Sequence, residues 1–477
     1  MTEKIRQDLV NAAFDRAREN AQGYTAIKQI ILNNENLRNA EKNEALKFLN
    51  EKYDRKNIRS NKGTKRTCEK CEEECSGKLY CENCIRNYLK KNFSNWTSGN
   101  KNIDTLIKKC QIDTLSPNRI IEWIPYDKLQ NIKYKKKGGF SDIYEAEWIN
   151  GRYYEWDSKE KKLKRKGTKK VILKTLEDNN NEEAEIHLTM SNKWGSIVRC
   201  YGITKDPSKG YMLVENRMDM DLREYLKHEE KITWEEKVKI IYQIIKALGK
   251  IHKEKAIHKD LHSGNILYSK SRNYWYISDL GLCGPADKPP KSIYGNLPYI
   301  APEVIAGKEY SYASDIYSIG ILMWEISSGQ RPFANFENDF DLVTRILDGM
   351  RPKIISGTPL EYIRIMKQCW NANTTERFTT ESIKKEIKRM FQDTPNELNN
   401  NEKIKILSFD ICHESVTSKI HQFEGLSEPK NATEEEQEAF HSKPYDFSIP
   451  QNIEDWNRSE SSDESNNSTS KIILQYV

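Results

Sequence analysis

The chain has 477 residues, 37% of them hydrophobic and 31% charged, with a formal net charge of +6. That length exceeds one ordinary core, so two or three units are expected, and the polar balance points to solvated stretches among them. The N-terminus, MTEKIRQDLVNAAF, lacks the apolar run of a signal peptide, and no stretch approaches about 18 consecutive apolar residues. Neither export nor a membrane span is expected, and the default compartment is a reducing one, the cytoplasm or alternatively the nucleus.

Residues 1–57 read as helical, with Leu46, Leu49 and Tyr53 on one face. Such a stripe is ordinarily a packing face; the alternative is a helix that binds a protein partner. Residues 58–92 carry five of the chain's ten cysteines. Cys68 and Cys71, then Cys81 and Cys84, form two C-x2-C pairs. Four thiolates suit tetrahedral Zn²⁺ in a closed, structural site, a small zinc ribbon. The spacer is expected to turn at Ser76 and Gly77, and Cys75 is a spare thiolate. The rival reading is a redox pair. Lys62, Lys65 and Arg66 lie nearby, but the interleaved Glu69, Glu72, Glu73 and Glu74 argue against nucleic acid.

Residues 93–125 are polar, with NWTSGNKN and SPN as turn signals, and read as a linker. Residues 126–392 form a longer unit. Its first part (DIYEAEW, KKVILKTL, YMLVEN) suits strands, and its later part suits helices. Ile241, Ile244, Ile245 and Leu248 recur at helical spacing, and SIKKEIKRMF puts Ile383, Ile387, Met390 and Phe391 on one face. Strands followed by helices give an α+β order. Between strands, the basic run at 158–170 reads as a long solvated hairpin. Residues 393–477 hold 17 acids and 7 bases, a balance of −10, which leaves +16 on the rest. This acidic tail reads as mostly disordered. It either folds back on the basic body or simply keeps it soluble, and the second is the ordinary case.

Phosphoryl transfer needs positioning and charge neutralisation, and the chain offers groups for both. Lys174 ends the apolar strand VILK, and Glu183 in the following helix-like stretch is its chosen partner. Asp260, in AIHKDLHSGNILY, suits a base that orients an acceptor hydroxyl. Asn265 follows five residues later, and Asp279 fourteen after that; such oxygen ligands suit Mg²⁺. Gly138, Gly139 and Phe140 lie in KKKGGFSDIY, where a flexible loop would cover the phosphates.

These motifs resemble a eukaryotic protein kinase domain over residues 126–392. HKDLHSGN resembles the catalytic loop H-R-D-L-x-x-x-N, DLG resembles D-F-G, and APE at 301–303 matches the end of the activation segment. SDIYSIGILMWE resembles the central helix of the large lobe, with Asp315 bracing the catalytic loop. Arg377 stands where the family's arginine pairs with the APE glutamate, here Glu303. HSGNIL, NWTSGNKNID and EWIPYDKL are similar to tyrosine-kinase-like kinases expanded in mycorrhizal fungi. The resemblance implies a two-lobed α+β fold that binds ATP and Mg²⁺ and phosphorylates protein substrates. It implies catalytic roles for Asp260, Lys174 and Glu183. It places ATP near Gly138, Gly139, Phe140, Ile143 and Lys174, and Mg²⁺ on Asn265 and Asp279.

The pattern also departs from the family. Against G-x-G-x-x-G-x-V, Lys136 and Ser141 replace two glycines, Gly138 keeps the middle one, and Ile143 replaces the valine. Lys259 replaces the arginine of HRD, keeping charge but losing bidentate geometry. Glu215 falls where the family has an apolar residue behind the adenine pocket. An unpaired carboxylate there would be costly, so either Glu215 pairs with Lys174 in a resting state or the strand register is one residue off. GNLPYIAPE is closer to the serine/threonine pattern than to the tyrosine one. His262 stands where many serine/threonine kinases have lysine, and Ser292 and Tyr294 are candidate activation sites. The expected activity is a serine/threonine protein kinase in signalling; the alternative is a pseudokinase serving as a regulated scaffold.

Overall fold

The computed structural model describes residues 5–6, 9–10, 13–14, 17, 23–138, 141–176, 181–229, 232–283, 293–336, 339–393, 418–423 and 425–442. Gly139, Phe140 and Ser292 lie outside the described residues. The chain divides into Met1–Asn431 and Ala432–Val477.

The first unit opens with helices α1 (Tyr24–Leu32) and α2 (Asn39–Ser60). Leu49 is fully buried with Ile31 and Ala45, and Leu46 and Tyr53 pack beside it, so the predicted stripe is a packing face. Strands β1 (Arg66–Thr67) and β2 (Glu74–Cys75) then pair antiparallel. Their turn therefore spans residues 68–73, around the first cysteine pair, and not Ser76 and Gly77. The amides of those two residues are instead held by the Glu82 carboxylate, at 2.7 and 3.2 Å. Helix α3 (Glu82–Lys91) follows.

Where a linker was expected, Lys101–Ile112 forms helix α4. The Asn100 side chain caps it by accepting the Asn102 and Ile103 amides. Its Ile103, Ile107 and Cys110 are buried in the same cluster as Ala184 and Leu188 of the small lobe. Strand β3 (Glu122–Trp123) extends the sheet. The linker reading failed because the flanking turn signals outweighed a four-residue apolar stripe.

Strands β4 (Leu129–Lys137) and β5 (Asp142–Trp148) pair antiparallel. Hairpin β6 (Tyr153–Asp157) and β7 (Lys162–Arg165) comes next. Its basic face is solvated, yet Leu163 is buried against Tyr80, Ile85 and Leu89, which seats the cysteine region on the lobe. Strand β8 (Lys169–Thr175), helix α5 (Asn181–Lys193) and strands β9 (Cys200–Asp206) and β10 (Gly210–Asn216) complete the small lobe. The sheet order is β3-β9-β10-β8-β5-β4, with β3 parallel to β9 and the other pairings antiparallel.

The large lobe is mainly helical. After β11 (Met220–Asp221) come α6 (Leu222–His228) and α7 (Trp234–Lys253). Thr233 caps α7, and its Ile241, Ile244, Ile245 and Leu248 stripe is buried. Strands β12 (Ile266–Ser269) and β13 (Tyr274–Ile277) present the loop before them and the turn after them to the cleft. Beyond β14 (Ile293–Gly295) and α8 (Pro302–Ile305), helix α9 (Tyr312–Ser328) is buried almost throughout. Ser311 and Ser314 cap it, and Gly329 ends it at φ 70°. Helices α10 (Asp339–Leu347), α11 (Leu360–Cys369) and α12 (Thr380–Asp393) close the lobe.

Within the stretch read as tail, β15 (Lys419–His421) pairs antiparallel with β14. The described part of the second unit is helix α13 (Glu434–Ser442), capped by Thr433, whose hydroxyl accepts the Glu436 amide.

Candidate active site

The site is assembled from both lobes of the first unit. Strand β8 carries Lys174 into the interior, where it is 6% exposed. Its Nζ donates to Glu183 Oε1 at 3.1 Å and to Asp279 Oδ1 at 2.6 Å. Of the neighbouring acids, Glu185 faces out and pairs with Lys109 at 3.2 Å, so α5 turns Glu183 and not Glu185 to the lysine. Burial alone would lower the Lys174 pKa, but the Asp279 and Glu183 carboxylates outweigh it and hold it above its ordinary value. Burial would raise Asp279, yet Lys174 holds it well below the carboxylate range.

The catalytic-loop residues are held from behind. Asp315 of α9 accepts the amides of His258 at 2.9 Å and Lys259 at 3.0 Å. His258 is fully buried; its Nδ1 accepts the Asp260 amide at 3.3 Å and its Nε2 lies 3.1 Å from the Ser278 carbonyl oxygen. Lys259 and Asp279 have φ of 70° and 53°, left-handed backbone that non-glycine residues seldom adopt. Both sit beside proposed reacting groups, and the hydrogen bonds on the flanking residues hold them there. Behind the site, Arg377 grips Glu303 with two bonds of 2.7 Å in a buried pair.

Asp260 is buried, and its two oxygens have separate partners. Oδ1 accepts the Asn296 amide at 3.3 Å. Oδ2 accepts the Ser418 hydroxyl at 2.6 Å and lies 3.4 Å from Asn265 Nδ2. Burial opposes its ionisation, but His262 and the Ser418 bond prevail and keep its pKa below the usual value. Asn265 Nδ2 also donates to the Asp260 carbonyl at 2.9 Å, which orients the amide.

The donor set fits Mg²⁺. Asn265 and Asp279 offer the hard oxygens it prefers. Lys174 supplies one ammonium against two carboxylates, so the cluster favours further positive charge. The glycine loop fits a nucleotide less fully. A side chain at Gly138 would press the Ser141 carbonyl at 2.9 Å, so the turn needs glycine. The Gly138 amide, however, is spent on that carbonyl at 2.6 Å. Ile143 pairs across the sheet with Lys174.

Glu215 does not reach Lys174 in a resting pair. Its Oε1 lies 3.2 Å from Nδ1 of His187, and both side chains are buried. A bulge between Val214 and Glu215 accompanies this arrangement. His187 Nε2 accepts the Leu280 amide at 3.2 Å, linking Glu215 through α5 to the DLG turn. His187 was not singled out in the sequence, although it stands four residues after Glu183 on the same helical face.

Away from the cleft, the ligand atoms of Cys68, Cys71, Cys81 and Cys84 all lie within 4.8 Å of one another. Cys68 Sγ is 3.7 Å from Cys84 Sγ, and Cys71 Sγ is 3.6 Å from Cys81 Sγ. Four thiolates around zinc at ~2.3 Å stand roughly 3.8 Å apart, so the spacing fits a tetrahedral ion. Cys75, buried nearby, is not part of the four.

Together, the mainly antiparallel small lobe, the helical large lobe and the cleft groups between them define a protein kinase fold. Residues 129–387, more than half the chain, match the family described as protein tyrosine and serine/threonine kinase, and the chain belongs to it. It is similar at 28% identity over 279 residues to a chain named as a serine/threonine-protein kinase/receptor in Acanthamoeba polyphaga mimivirus. That match covers 58% of this chain and 16% of the relative. It is 25% identical over 293 residues to human tyrosine-protein kinase FRK, covering 58% and 54%. A chain named as a serine/threonine-protein kinase in Dictyostelium discoideum is 27% identical over 279 residues, covering 56% and 28%. This chain thus spans from about a sixth to about half of these relatives. Among the described residues, no helix is long and apolar enough to cross a membrane.

Proposed function

We propose that the chain is an active protein kinase that transfers the γ-phosphoryl group of ATP to serine or threonine hydroxyls of proteins. One observation carries this reading: Lys174 is bonded at once to Glu183 and Asp279, with Asp260 and Asn265 bonded to each other in the same cleft. Lys174 steadies the phosphates and is itself aimed by Glu183. Asp260 orients the acceptor hydroxyl and takes its proton. Asn265 and Asp279 are the residues that would hold Mg²⁺, which supplies neutralisation of phosphate charge when bound. Gly138 and Ile143 border the nucleotide; Gly139 and Phe140, the other two expected contacts, lie outside the described residues. The serine/threonine assignment rests on GNLPYIAPE and on the names of the viral and amoebal relatives.

The same reading gives the four cysteines a structural Zn²⁺, makes proteins the substrates and partners, and sets the chain in cytoplasmic signalling. It also keeps the likeness to tyrosine-kinase-like fungal kinases. The spent Gly138 amide and the Glu215–His187 pair favour a second reading, a pseudokinase scaffold. Transfer of labelled γ-phosphate to the chain itself or to a generic protein substrate, beside an Asp260→Asn control, separates the two. Label that vanishes in the control supports the kinase. No label in either sinks it.

A further inference from the structure

We infer that residues 418–421 dock in the cleft as this kinase's own substrate, and that Ser418 is a serine it phosphorylates within the same chain. The inference rests on the kinase reading and adds the acceptor and its mode of docking.

The pairing of β15 with β14 sets Gly295 opposite Lys419, Tyr294 opposite Ile420 and Ile293 opposite His421. Strand β14 leads directly into Asn296, whose amide binds Asp260 Oδ1. The register therefore fixes the residue just before β15 over the Asp260 carboxylate, and that residue is Ser418. It is 7% exposed, its Oγ donates to Asp260 Oδ2 at 2.6 Å, and His262 Nε2 lies 3.3 Å away. The His421 ring, also buried, has Nε2 3.1 Å from the Gly295 carbonyl oxygen. Further along, the Lys430 amide donates to the Leu347 carbonyl at 2.9 Å, and Asn431 accepts the Ala372 amide at 2.8 Å. The segment is thus anchored well beyond the one hydroxyl.

The geometry states the chemistry. The Ser418 proton already points at the group that would take it. With a magnesium-bound nucleoside triphosphate in the cleft, Ser418 Oγ forms a bond to the γ-phosphorus as the bond to the β,γ-bridging oxygen breaks. The proton passes to Asp260, and the nucleoside diphosphate leaves with the electron pair. A serine side chain spans the gap from β15 to Asp260; a tyrosine at this register would carry its hydroxyl several bonds past the carboxylate. The substrate class follows: extended segments with a serine immediately before the residue facing Gly295, held by backbone pairing. A phosphoserine carries about −1.5 to −2 charge at neutral pH, and beside Asp260 it would repel the strand and free the β14 edge.

The test uses the full chain. Incubated with Mg·ATP, it is expected to carry phosphate on Ser418, at a first-order rate unchanged by dilution, and Ser418→Ala should remove that label. Without nucleotide, hydrogen exchange should show protected amides at Ile293–Gly295 and Lys419–His421. Ile420→Pro, which strips an amide from an exposed strand position, should expose both. Label on an added substrate with none on Ser418 would overturn the inference and leave the kinase standing. So would equal exchange at Ile293–Gly295 in the wild type and Ile420→Pro. No label on any protein would overturn the kinase reading and the acceptor role together.

Discussion

Glu215 Oε1 lies 3.2 Å from His187 Nδ1, and both side chains are sealed from solvent. A buried carboxylate is tolerated there because the imidazole bonds it directly, with the Lys174 charge acting on it without a bond. Removing either partner leaves the other stranded, and such losses cost about 3 kcal/mol. Glu215→Met and His187→Leu are each expected to lower stability by that order in denaturant melts. The double variant should recover most of the loss, since an apolar pair fills the space without a buried charge. Additive losses would mean that the two do not interact. Because Lys174 is not released, ATP affinity in Glu215→Met should not rise.

Lys174→Met removes the ammonium that bridges Glu183 and Asp279. Transfer should fall by at least ~100-fold, the scale seen when a preorganised charge is taken from a reacting centre. The circular dichroism spectrum should stay unchanged, so the loss would report on the site and not on folding.

The same pair sets a pH dependence. Lys174 holds the Asp279 pKa below its ordinary value of about 3.9. The sign follows from linkage: stability is fully present above the unfolded value and lost as pH falls through the folded one. The melting-temperature gap between wild type and Asp279→Asn should be constant from neutral pH down to about 5 and close only below about 4. A gap that already narrows near neutrality would contradict the bridge.

The cysteine group offers an independent check. The purified protein is expected to contain stoichiometric zinc, and a strong chelator should lower its melting temperature. Cys71→Ser should abolish metal retention, whereas Cys75→Ser should keep it, because Cys75 lies outside the four. Retention lost equally in both would place Cys75 among the ligands.

What the sequence revealed depended on how local the signal was. Asp260, Asn265 and Asp279 sit within twenty residues, and the cysteine pairs within seventeen, so spacing alone exposed them. Which acid of the stretch after Lys174 meets that lysine is decided by the helix face, which turns Glu183 inward and Glu185 out to Lys109. His187 as the partner of Glu215 was not legible, since a strand bulge and a helix face decide which side chains meet. The Ser418–Asp260 bond joins residues 158 apart across a tail whose composition reads as solvated. Helix α4 is different: Ile103, Leu106, Ile107 and Cys110 do recur at helical spacing, and the signal was present but outweighed by the polar residues around it.

That helix yields the last prediction. Ile107 is fully buried in one cluster with Ala184 and Leu188 of α5, the helix that aims Glu183. Truncating a buried isoleucine to alanine leaves a cavity and costs about 2–5 kcal/mol. Ile107→Ala should therefore destabilise the small lobe itself, although it lies outside the part that matches the family. Because α5 carries Glu183, the variant should also lose transfer rate at temperatures well below its melting point. A variant with full stability and full rate would mean that the Ile107 contact does not support α5.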